Sequence, residues 1–275
     1  GWCRGPAIFV DPDIRYRERH KEGGGGDTHG DTGGCDERPR GAIEMRLLII
    51  GYGRMGKLVD QFSESYGFEV AGRLDIDNNR GGAGITADQV RDVDVAIDFS
   101  TADAVADNLP RLAGHGVNLV VGTTGWQDQE TAMRATAEEA GIGVVAAANF
   151  SLGVNLFLAL TERAAELFEP REEFGAWIHE IHHAAKIDAP SGTALAMQTA
   201  MERQGYTGTV DMASTRVGSA PGTHTVGFDG PVETITLTHT TRDRATFARG
   251  ALEAARWLHG RRGWFSMRDV LGLGP

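Results

Sequence analysis

The sequence predicts an α/β protein with a doubly wound parallel sheet, followed by a mixed α/β domain. From Met45 to residue 150, short and continuously apolar runs alternate with helical stretches, as in parallel sheets covered on both faces. The motif GYGRMG at 51–56 stands directly after the first apolar run. Beyond residue 220, two segments alternate apolar and polar residues, which is typical of antiparallel strands. A Rossmann-type domain joined to a second domain of different architecture is therefore expected.

The first domain is predicted from five strand and helix units. The strands are expected at 46–50, 68–75, 93–100, 117–124 and 142–150. The helical segments are expected at 51–67 after a tight turn, at 86–92, at 101–116 and at 131–141. Pro110 lies inside the third helical segment and should kink or break it, because proline lacks the backbone donor.

The pattern changes after Ser151. It predicts a long helix at 151–168, a strand at 176–185, a helix through 193–204, antiparallel strands at 223–230 and 232–241, and a last helix at 246–260. We expect the last helix to pack on the first domain. The predicted domains are then 45–150 with 246–275 for dinucleotide binding, and 151–245 for substrate binding and oligomerisation.

Residues 1–44 differ in composition from the rest of the chain. The stretch GGGGDTHGDTGG is polar and of low complexity, so we expect a disordered tail, with the working protein beginning near Met45. Both cysteines, Cys3 and Cys35, lie in this tail. The folded part therefore needs no disulfide framework, and with no secretory signal visible a cytoplasmic location is expected.

Charge and hydropathy exclude two classes of partner. The formal net charge is −11, and no basic stripe is visible, which is unfavourable for nucleic-acid binding. No segment approaches the roughly 18 apolar residues of a membrane-spanning helix.

The motif GYGRMG predicts a dinucleotide site. Gly51 allows a tight turn, Gly53 lets the backbone approach a pyrophosphate, and Gly56 permits close packing of helix and strand. The following helix presents free N–H groups and the positive end of its dipole. A glycine-rich turn kept for packing alone is the other interpretation.

Asp75 ends the second predicted strand, where an acidic residue binds the adenosine ribose hydroxyls. Its charge should repel a 2′-phosphate, and Ile76 supplies no phosphate clamp, which favours NADH over NADPH. Arg73 and Arg80 are close enough in sequence to weaken this preference. The segments VVGTTGW at 120–126 and AAANFS at 146–151 end later strands, so they border the same crevice or are simple loops.

The segment EIHHAAKIDAPSGTALAM at 180–197 concentrates groups that suit an anion site. Lysine occurs only three times in the chain, at Lys21, Lys57 and Lys186, so a lysine beside two histidines favours a chemical role. Ser191 stands where a helix begins, and free N–H groups there suit a carboxylate. An ordinary capped helix after a polar loop is the alternative. A metal is not expected, because His182 and His183 should point to opposite faces of a strand and no third ligand stands at a familiar spacing.

These motifs together resemble the 4-hydroxy-tetrahydrodipicolinate reductase family of the diaminopimelate and lysine pathway. The resemblance runs from Met45 to the C-terminus through GYGRMG, IDFS, GTTG, AANFSLGVN, HHAAKIDAPSGTA, PGTH and RDVLGL. It implies a homotetramer that uses NADH or NADPH to reduce a small cyclic dicarboxylate, with hinges near Ser151 and Thr246. Ile76 departs from the family, which usually has a basic residue there.

The resemblance also implies roles for individual residues. His182 would be the general acid/base and Lys186 the proton donor. Substrate would be bound by His183, Ser191, Gly192 and Thr193. The cofactor would be bound by Gly51, Tyr52, Gly53, Arg54, Met55, Gly56, Asp75, Gly122, Thr123, Thr124, Ala147, Ala148, Asn149 and Phe150. Two other hypotheses stay open: a non-catalytic dinucleotide sensor, and a different Rossmann oxidoreductase acting on an aldehyde or imine.

Overall fold

The structure is a computed structural model that describes residues 45–274. The expected tail at 1–44, with Cys3 and Cys35, lies outside the described residues.

Six parallel strands form the first sheet, in the order β10-β5-β4-β3-β1-β2. They are β1 (Met45–Ile50), β2 (Phe68–Leu74), β3 (Val95–Asp98), β4 (Asn118–Val121), β5 (Gly143–Ala146) and β10 (Gly263–Phe265). The chain adds β2 on one side of β1 and the later strands on the other. The carboxyl ends of β1 and β3 therefore flank the switch point where doubly wound sheets bind ligands.

Alternate residues of β1 face two different helical layers. Leu48 and Ile50 pack with α2 (Ala102–Gly114) and α3 (Glu130–Ala140). Leu47 and Ile49 pack with α1 (Arg54–Ser63) and α6 (Ala245–Leu258). The last long helix thus returns to the first sheet as expected, and the short α7 (Met267–Val270) follows β10. Both faces of the sheet are covered, which explains its continuously apolar strands.

The second sheet has four strands in the order β7-β6-β8-β9. These are β6 (Gly175–His182), β7 (Val210–Arg216), β8 (Gly222–Asp229) and β9 (Thr234–Thr241). β7 pairs parallel to β6. β8 pairs antiparallel to β6, and β9 pairs antiparallel to β8, so the sheet is mixed. The helices α4 (Leu152–Phe168) and α5 (Gly192–Arg203) cover one face through a core that includes Phe157, Met197 and Phe228.

The predicted fold class is confirmed, and the errors are local. The helix predicted at 86–92 is wrong: these residues form turns, with Asp92 at a φ of 61°. Pro110, predicted to kink or break its helix, does not break it: α2 continues through the proline, with Leu109 and Leu112 buried on either side of it. Two short elements, β10 and α7, and the largely exposed edge strand β7 were not predicted.

The chain passes from the first sheet to the second near Ser151 and returns near Thr246, and these two residues are in contact. Ser151 caps α4, since its Oγ accepts a hydrogen bond from the Val154 N–H at 3.2 Å. The same Oγ lies 3.0 Å from Thr246 Oγ1, at the start of α6. In residues 45–274, no helix combines the length and hydropathy that a membrane span requires.

Candidate active site

A cavity of about 740 Å³ lies between the carboxyl edge of the parallel sheet and the second sheet. One wall comes from the loop after β5 and from the region of α6 and α7, with Ala147, Ala148, Asn149, Arg244, Phe247 and Arg268. The opposite wall contains all six residues singled out in the segment 180–197: His182, His183, Lys186, Ser191, Gly192 and Thr193. The fold therefore gathers this segment onto one surface that faces the first sheet.

Local structure explains how both histidines reach the cavity. β6 ends at His182, so His183 no longer follows the alternation of a strand, and both side chains line the cavity. The expectation that they face opposite sides is wrong for this reason. Ser191 caps α5, because its buried Oγ accepts a hydrogen bond from the Ala194 N–H at 3.2 Å. The first turn of α5 contains no acidic residue, so its N–H groups are suited to an anion.

The cavity is locally positive although the chain is acidic. The charged side chains that line it are Lys186, Arg242, Arg244 and Arg268, against the single acid Asp243. Arg268 is already paired, since its Nη1 lies 2.7 Å from both carboxylate oxygens of Glu162. Lys186 Nζ donates to both oxygens of Asp188, at 2.7 and 2.9 Å. This hydrogen bond lowers the pKa of Asp188.

Glu180 lies directly behind this wall and was not among the predicted site residues. Its side chain is 0% exposed. Oε1 accepts hydrogen bonds from the Ser191 N–H at 3.0 Å, from Ser214 Oγ at 2.7 Å and from Arg216 Nη2 at 2.8 Å. Burial alone would raise the pKa of Glu180, but these hydrogen bonds outweigh it and lower the pKa to about 2. The carboxylate is therefore charged at neutral pH.

Two histidines approach the other oxygen of Glu180. His182 Nδ1 lies 3.3 Å from Oε2, and His224 Nε2 lies 3.5 Å from it. Burial lowers the pKa of His182, which Glu180 opposes and Lys186 reinforces. Burial and the neighbouring His182 lower the pKa of His224 to about 4, so His224 is neutral at pH 7.

The same three residues have the atom types of a metal site. The ligating atoms of Glu180, His182 and His224 lie within 4.8 Å of one another. The cationic head of Arg216 is bound to the same carboxylate, and Lys186 adds a second positive charge in the cavity. Two nearby cations oppose a divalent ion, so the arrangement fits a proton-carrying network better than a metal centre.

The glycine motif has the geometry that a dinucleotide requires. Gly51 has a φ of 84°, and a Cβ at Gly56 would lie 2.2 Å from the Gly51 carbonyl oxygen. A Cβ at Gly53 would meet nothing within 4 Å, so a ligand has space to approach the backbone there. The first turn of α1 contains no acidic residue, and Tyr52, Arg54 and Met55 complete the turn and the start of this helix. The residues present thus fit the pyrophosphate of a nicotinamide cofactor.

Family models match both halves of the described chain. The model for the N-terminus of dihydrodipicolinate reductase matches residues 45–150, and the model for its C-terminus matches residues 153–271. The chain belongs to the dihydrodipicolinate reductase family.

Named relatives agree with this assignment. The 4-hydroxy-tetrahydrodipicolinate reductase of Christiangramia forsetii is 35% identical over 82% of this chain and 98% of its own length. The enzyme of the same name from Rhodopseudomonas palustris is 38% identical over 84% of this chain and 98% of its own length. A structure titled dipicolinate-bound dihydrodipicolinate reductase from Paenisporosarcina sp. TG-14 superimposes with a TM-score of 0.69 at 22% identity, covering 82% of this chain and 98% of that one. This likeness supports the fold.

In this member of the dihydrodipicolinate reductase family, the region after β2, where the sequence predicts a ribose-binding acid, has an exposed carboxylate and an arginine that is already paired. Asp75 follows β2 and is exposed. Arg73, two residues earlier, donates through Nε and Nη2 to the two oxygens of Asp60, at 2.7 Å each. Tyr52 donates its hydroxyl to the same carboxylate. The hydrogen bond from Arg73 lowers the pKa of Asp60, and the guanidinium is held against α1.

The loops after β4 and β5 differ in whether their predicted cofactor-binding residues line the cavity. A Cβ at Gly122 would lie 2.1 Å from the ring of Phe99, so only glycine fits there. Thr123 is buried, and its Oγ1 donates to Asp98 at 3.2 Å, whereas Thr124 is exposed. Ala147, Ala148 and Asn149 line the cavity, but Phe150 is buried in the core.

Two supporting residues, Asp98 and Glu180, were missed because most of their hydrogen-bond partners lie ten or more positions away in the sequence. Asp98, within the IDFS motif, is fully buried and binds Ser100, Asn108 and Thr123. Burial raises its pKa. Glu180 binds residues of α5 and β7 that lie 11 to 36 positions away. For Glu180, the only signal in the sequence is its position two residues before His182 on the same strand.

Proposed function

We propose that this chain catalyses the NAD(P)H-dependent reduction of (2S,4S)-4-hydroxy-2,3,4,5-tetrahydrodipicolinate to 2,3,4,5-tetrahydrodipicolinate, in lysine biosynthesis via diaminopimelate. One observation carries the proposal: a single cavity is lined by the histidines and Lys186 on one side and by the loop after β5 on the other. In a doubly wound sheet that loop belongs to the crevice in which the nicotinamide of a dinucleotide is bound. Membership of the family supplies the substrate class.

The substrate wall suits a ring with two carboxylates. Lys186, His183 and the N-terminus of α5 at Ser191, Gly192 and Thr193 would bind one carboxylate. The guanidinium groups at the opposite rim make the remaining field favourable for a second negative charge. Dipicolinate bound to the reductase of Paenisporosarcina sp. TG-14 supports this ligand class.

The reaction consumes a hydride and a proton and releases water. The bound cofactor supplies the hydride. Negative charge that develops on the conjugated ring must then be neutralised, and the acids within reach are His182 and the ammonium group of Lys186. The buried Glu180 favours a protonated His182, which opposes the effect of burial.

Each of the two sheets belongs to one proposed domain, and each domain has its own proposed role. Residues 45–150 and 246–275 would bind the dinucleotide, and residues 151–245 would bind substrate and assemble the oligomer. Ser151 and Thr246 lie at the crossings between these parts and touch each other, so they are the proposed hinge when the cavity closes.

NADH is the proposed preferred cofactor. Exposed Asp75 would bind the ribose hydroxyls and repel a 2′-phosphate. Arg73 does not offset this repulsion, because its guanidinium is held by Asp60 through Nε and Nη2. Ile76, 64% exposed, supplies no charge at the next position.

We also propose a cytoplasmic homotetramer. Large apolar side chains are exposed in the second domain at Leu156 and Leu160 of α4, at Ile235 of β9 and at nearby Val232. Exposed apolar groups of this kind often mark contacts between subunits. No cysteine occurs from residue 45 onward, which suits a reducing compartment.

The test is a coupled assay in which dihydrodipicolinate synthase supplies fresh substrate and oxidation of NADH or NADPH is followed in parallel. The proposal predicts turnover with both cofactors and a higher kcat/KM with NADH. Binding of NADH without turnover would make the chain a sensor. Turnover only with an unrelated imine or aldehyde would assign a different oxidoreductase.

A further inference from the structure

Glu180 occupies a position where an unpaired charge would be very costly. It lies on β6, two residues before His182, and is fully buried. Three donors, from Ser191, Ser214 and Arg216, all reach the same oxygen, Oε1. A buried carboxylate needs such partners to remain charged. The charge is therefore built into the fold.

The second carboxylate oxygen of Glu180 and the ring of His182 can satisfy each other's hydrogen-bonding groups. Glu180 Oε2 is buried, and so is His182 Nδ1; within residues 45–274 neither has a hydrogen-bond partner that meets strict geometry. The two atoms lie 3.3 Å apart. Buried polar atoms are rarely left unpaired. A proton on Nδ1 that points toward Oε2 satisfies both, and catalytic hydrogen bonds are often long before ligands bind.

The surroundings confine the imidazole to this orientation. His224 lies edge-to-face with it, at 5.0 Å between ring centroids. A Cβ at Gly222 would lie 3.0 Å from His182 Nε2. Glycine at this position therefore leaves space for the imidazole ring. His224 is fixed in turn, because its Nε2 lies 3.0 Å from Ser191 Oγ.

We propose that Glu180 is the positioning residue for His182: it holds Nδ1 as a donor, directs Nε2 to the cavity and stabilises the protonated ring. This inference rests on the proposed function, in which His182 supplies a proton. The same carboxylate binds the Ser191 N–H at the start of α5, so one buried charge fixes both the acid and the helix N-terminus beside it.

The charge of Glu180 has a defined effect on acidity. Burial lowers the pKa of His182, Lys186 and Arg216 reinforce that effect, and Glu180 is the strongest opposing group. Loss of the negative charge should therefore lower the pKa further, and protonated His182 should disappear at a lower pH. The titratable and charged groups around His182 and its neighbour His224 are Glu180 on β6, Arg216 on β7, His224 on β8, His239 on β9, and His183, Lys186 and Asp188 in the loop after β6.

The first test is Glu180→Gln, which preserves size and one acceptor, compared with Glu202→Gln at an exposed position of α5. We expect Glu180→Gln to lower kcat about 10- to 100-fold, as losses of orienting partners do. The alkaline limb of the kcat profile should move to lower pH, and the Kd for NADH, measured by fluorescence, should stay within about twofold. Glu202→Gln should match the wild type. A Glu180→Gln profile that superimposes on the wild type would overturn the proposal.

A second measurement needs no variant at Glu180. Nitrogen-15 NMR of the histidine rings in the whole protein, assigned with His182→Asn, reports which nitrogen of His182 carries the proton near neutral pH. The proposal predicts Nδ1–H; a neutral ring protonated only at Nε2 would contradict it, even if Glu180→Gln fails to fold. Stoichiometric zinc in the purified protein that is lost in Glu180→Gln would also overturn it. Absence of reductase activity in the wild type would sink the proposed function and leave the tautomer result standing.

Discussion

The cofactor end and the substrate end of the proposed site hold their shapes in different ways. At the cofactor end, Gly51, Gly56 and Gly122 leave room where a Cβ would collide with backbone or with Phe99. At the substrate end, a buried carboxylate binds three donors, one from the start of α5 and two from β7, and cations line the cavity in front of it. The shape of the cofactor end therefore depends on the absence of side chains, and the shape of the substrate end depends on paired charges.

This difference predicts different sensitivities. Added volume should damage the cofactor end, whereas lost or titrated charge should damage the substrate end. A charge-shaped site also depends on pH, because its members titrate, and a glycine turn has nothing to titrate. Variants at one end should therefore leave ligand binding at the other end unchanged, and an equal loss at both ends would show that the distinction is false.

The largest effect should come from Lys186→Ala, which removes a cavity charge without touching the glycine turn. We expect kcat to fall about 10²- to 10⁴-fold, the usual range for loss of a proton-transfer group. The Kd for NADH should change little. The matched control is Lys57→Ala, on the exposed side of α1, which should keep wild-type activity. Normal turnover in Lys186→Ala would remove this lysine from the mechanism.

Acid should loosen the substrate end in a defined window. His224 has a pKa of about 4 against an ordinary value of 6.5, so its contribution to stability is complete above pH 6.5 and is lost as the pH falls toward 4. Glu180 has a pKa of about 2 against 4.5, so its contribution is lost between pH 4.5 and 2. Protonation of each group in acid would therefore cost the folded state on the order of 3 kcal/mol relative to neutral pH. Urea unfolding followed by circular dichroism should show the first loss between pH 6.5 and 4, and His224→Gln should flatten it. An equal slope in wild type and variant would refute the assignment.

Gly56→Ala tests the cofactor end. The new Cβ would press on the Gly51 carbonyl oxygen, so α1 must shift from β1, at a cost of about 1–3 kcal/mol in unfolding free energy. NADH affinity should fall, while dipicolinate, used as a probe of the substrate wall, should bind as before. Gly114→Ala is the control, because a Cβ at this helical position meets nothing within 4 Å. Unchanged NADH binding in Gly56→Ala would contradict a cofactor end shaped by space.

The smallest effect should be a change of cofactor preference in Asp60→Asn. An amide offers only one oxygen and cannot accept from both Nε and Nη2 of Arg73 as the carboxylate does, so the guanidinium becomes free to approach a 2′-phosphate. We expect the ratio of kcat/KM for NADPH to that for NADH to rise up to about tenfold, or about 1.4 kcal/mol. An unchanged ratio would mean that Arg73 does not control the preference.

The two ends also differ in how far sequence predicts them. The glycine turn could be predicted in detail, because its function depends on consecutive residues between a strand and a helix. The six residues singled out at 182–193 line one cavity, since they lie within one loop and helix cap, and their roles stay predictions. Glu180 was missed because its partners Ser214 and Arg216 come from β7, an edge strand with no clear alternation. Register between distant strands is set by packing of the whole sheet and is not visible in a local pattern.

The most direct test is a crystal structure of the chain with NADH and dipicolinate bound together. The account predicts the dicarboxylate ring between the nicotinamide and the loop after β6. One carboxylate should lie within hydrogen-bond distance of Lys186 Nζ and the backbone N–H groups of Gly192 and Thr193, and His182 Nε2 should face the ring. A ring bound elsewhere, or His182 and Lys186 facing bulk water in a closed complex, would contradict it.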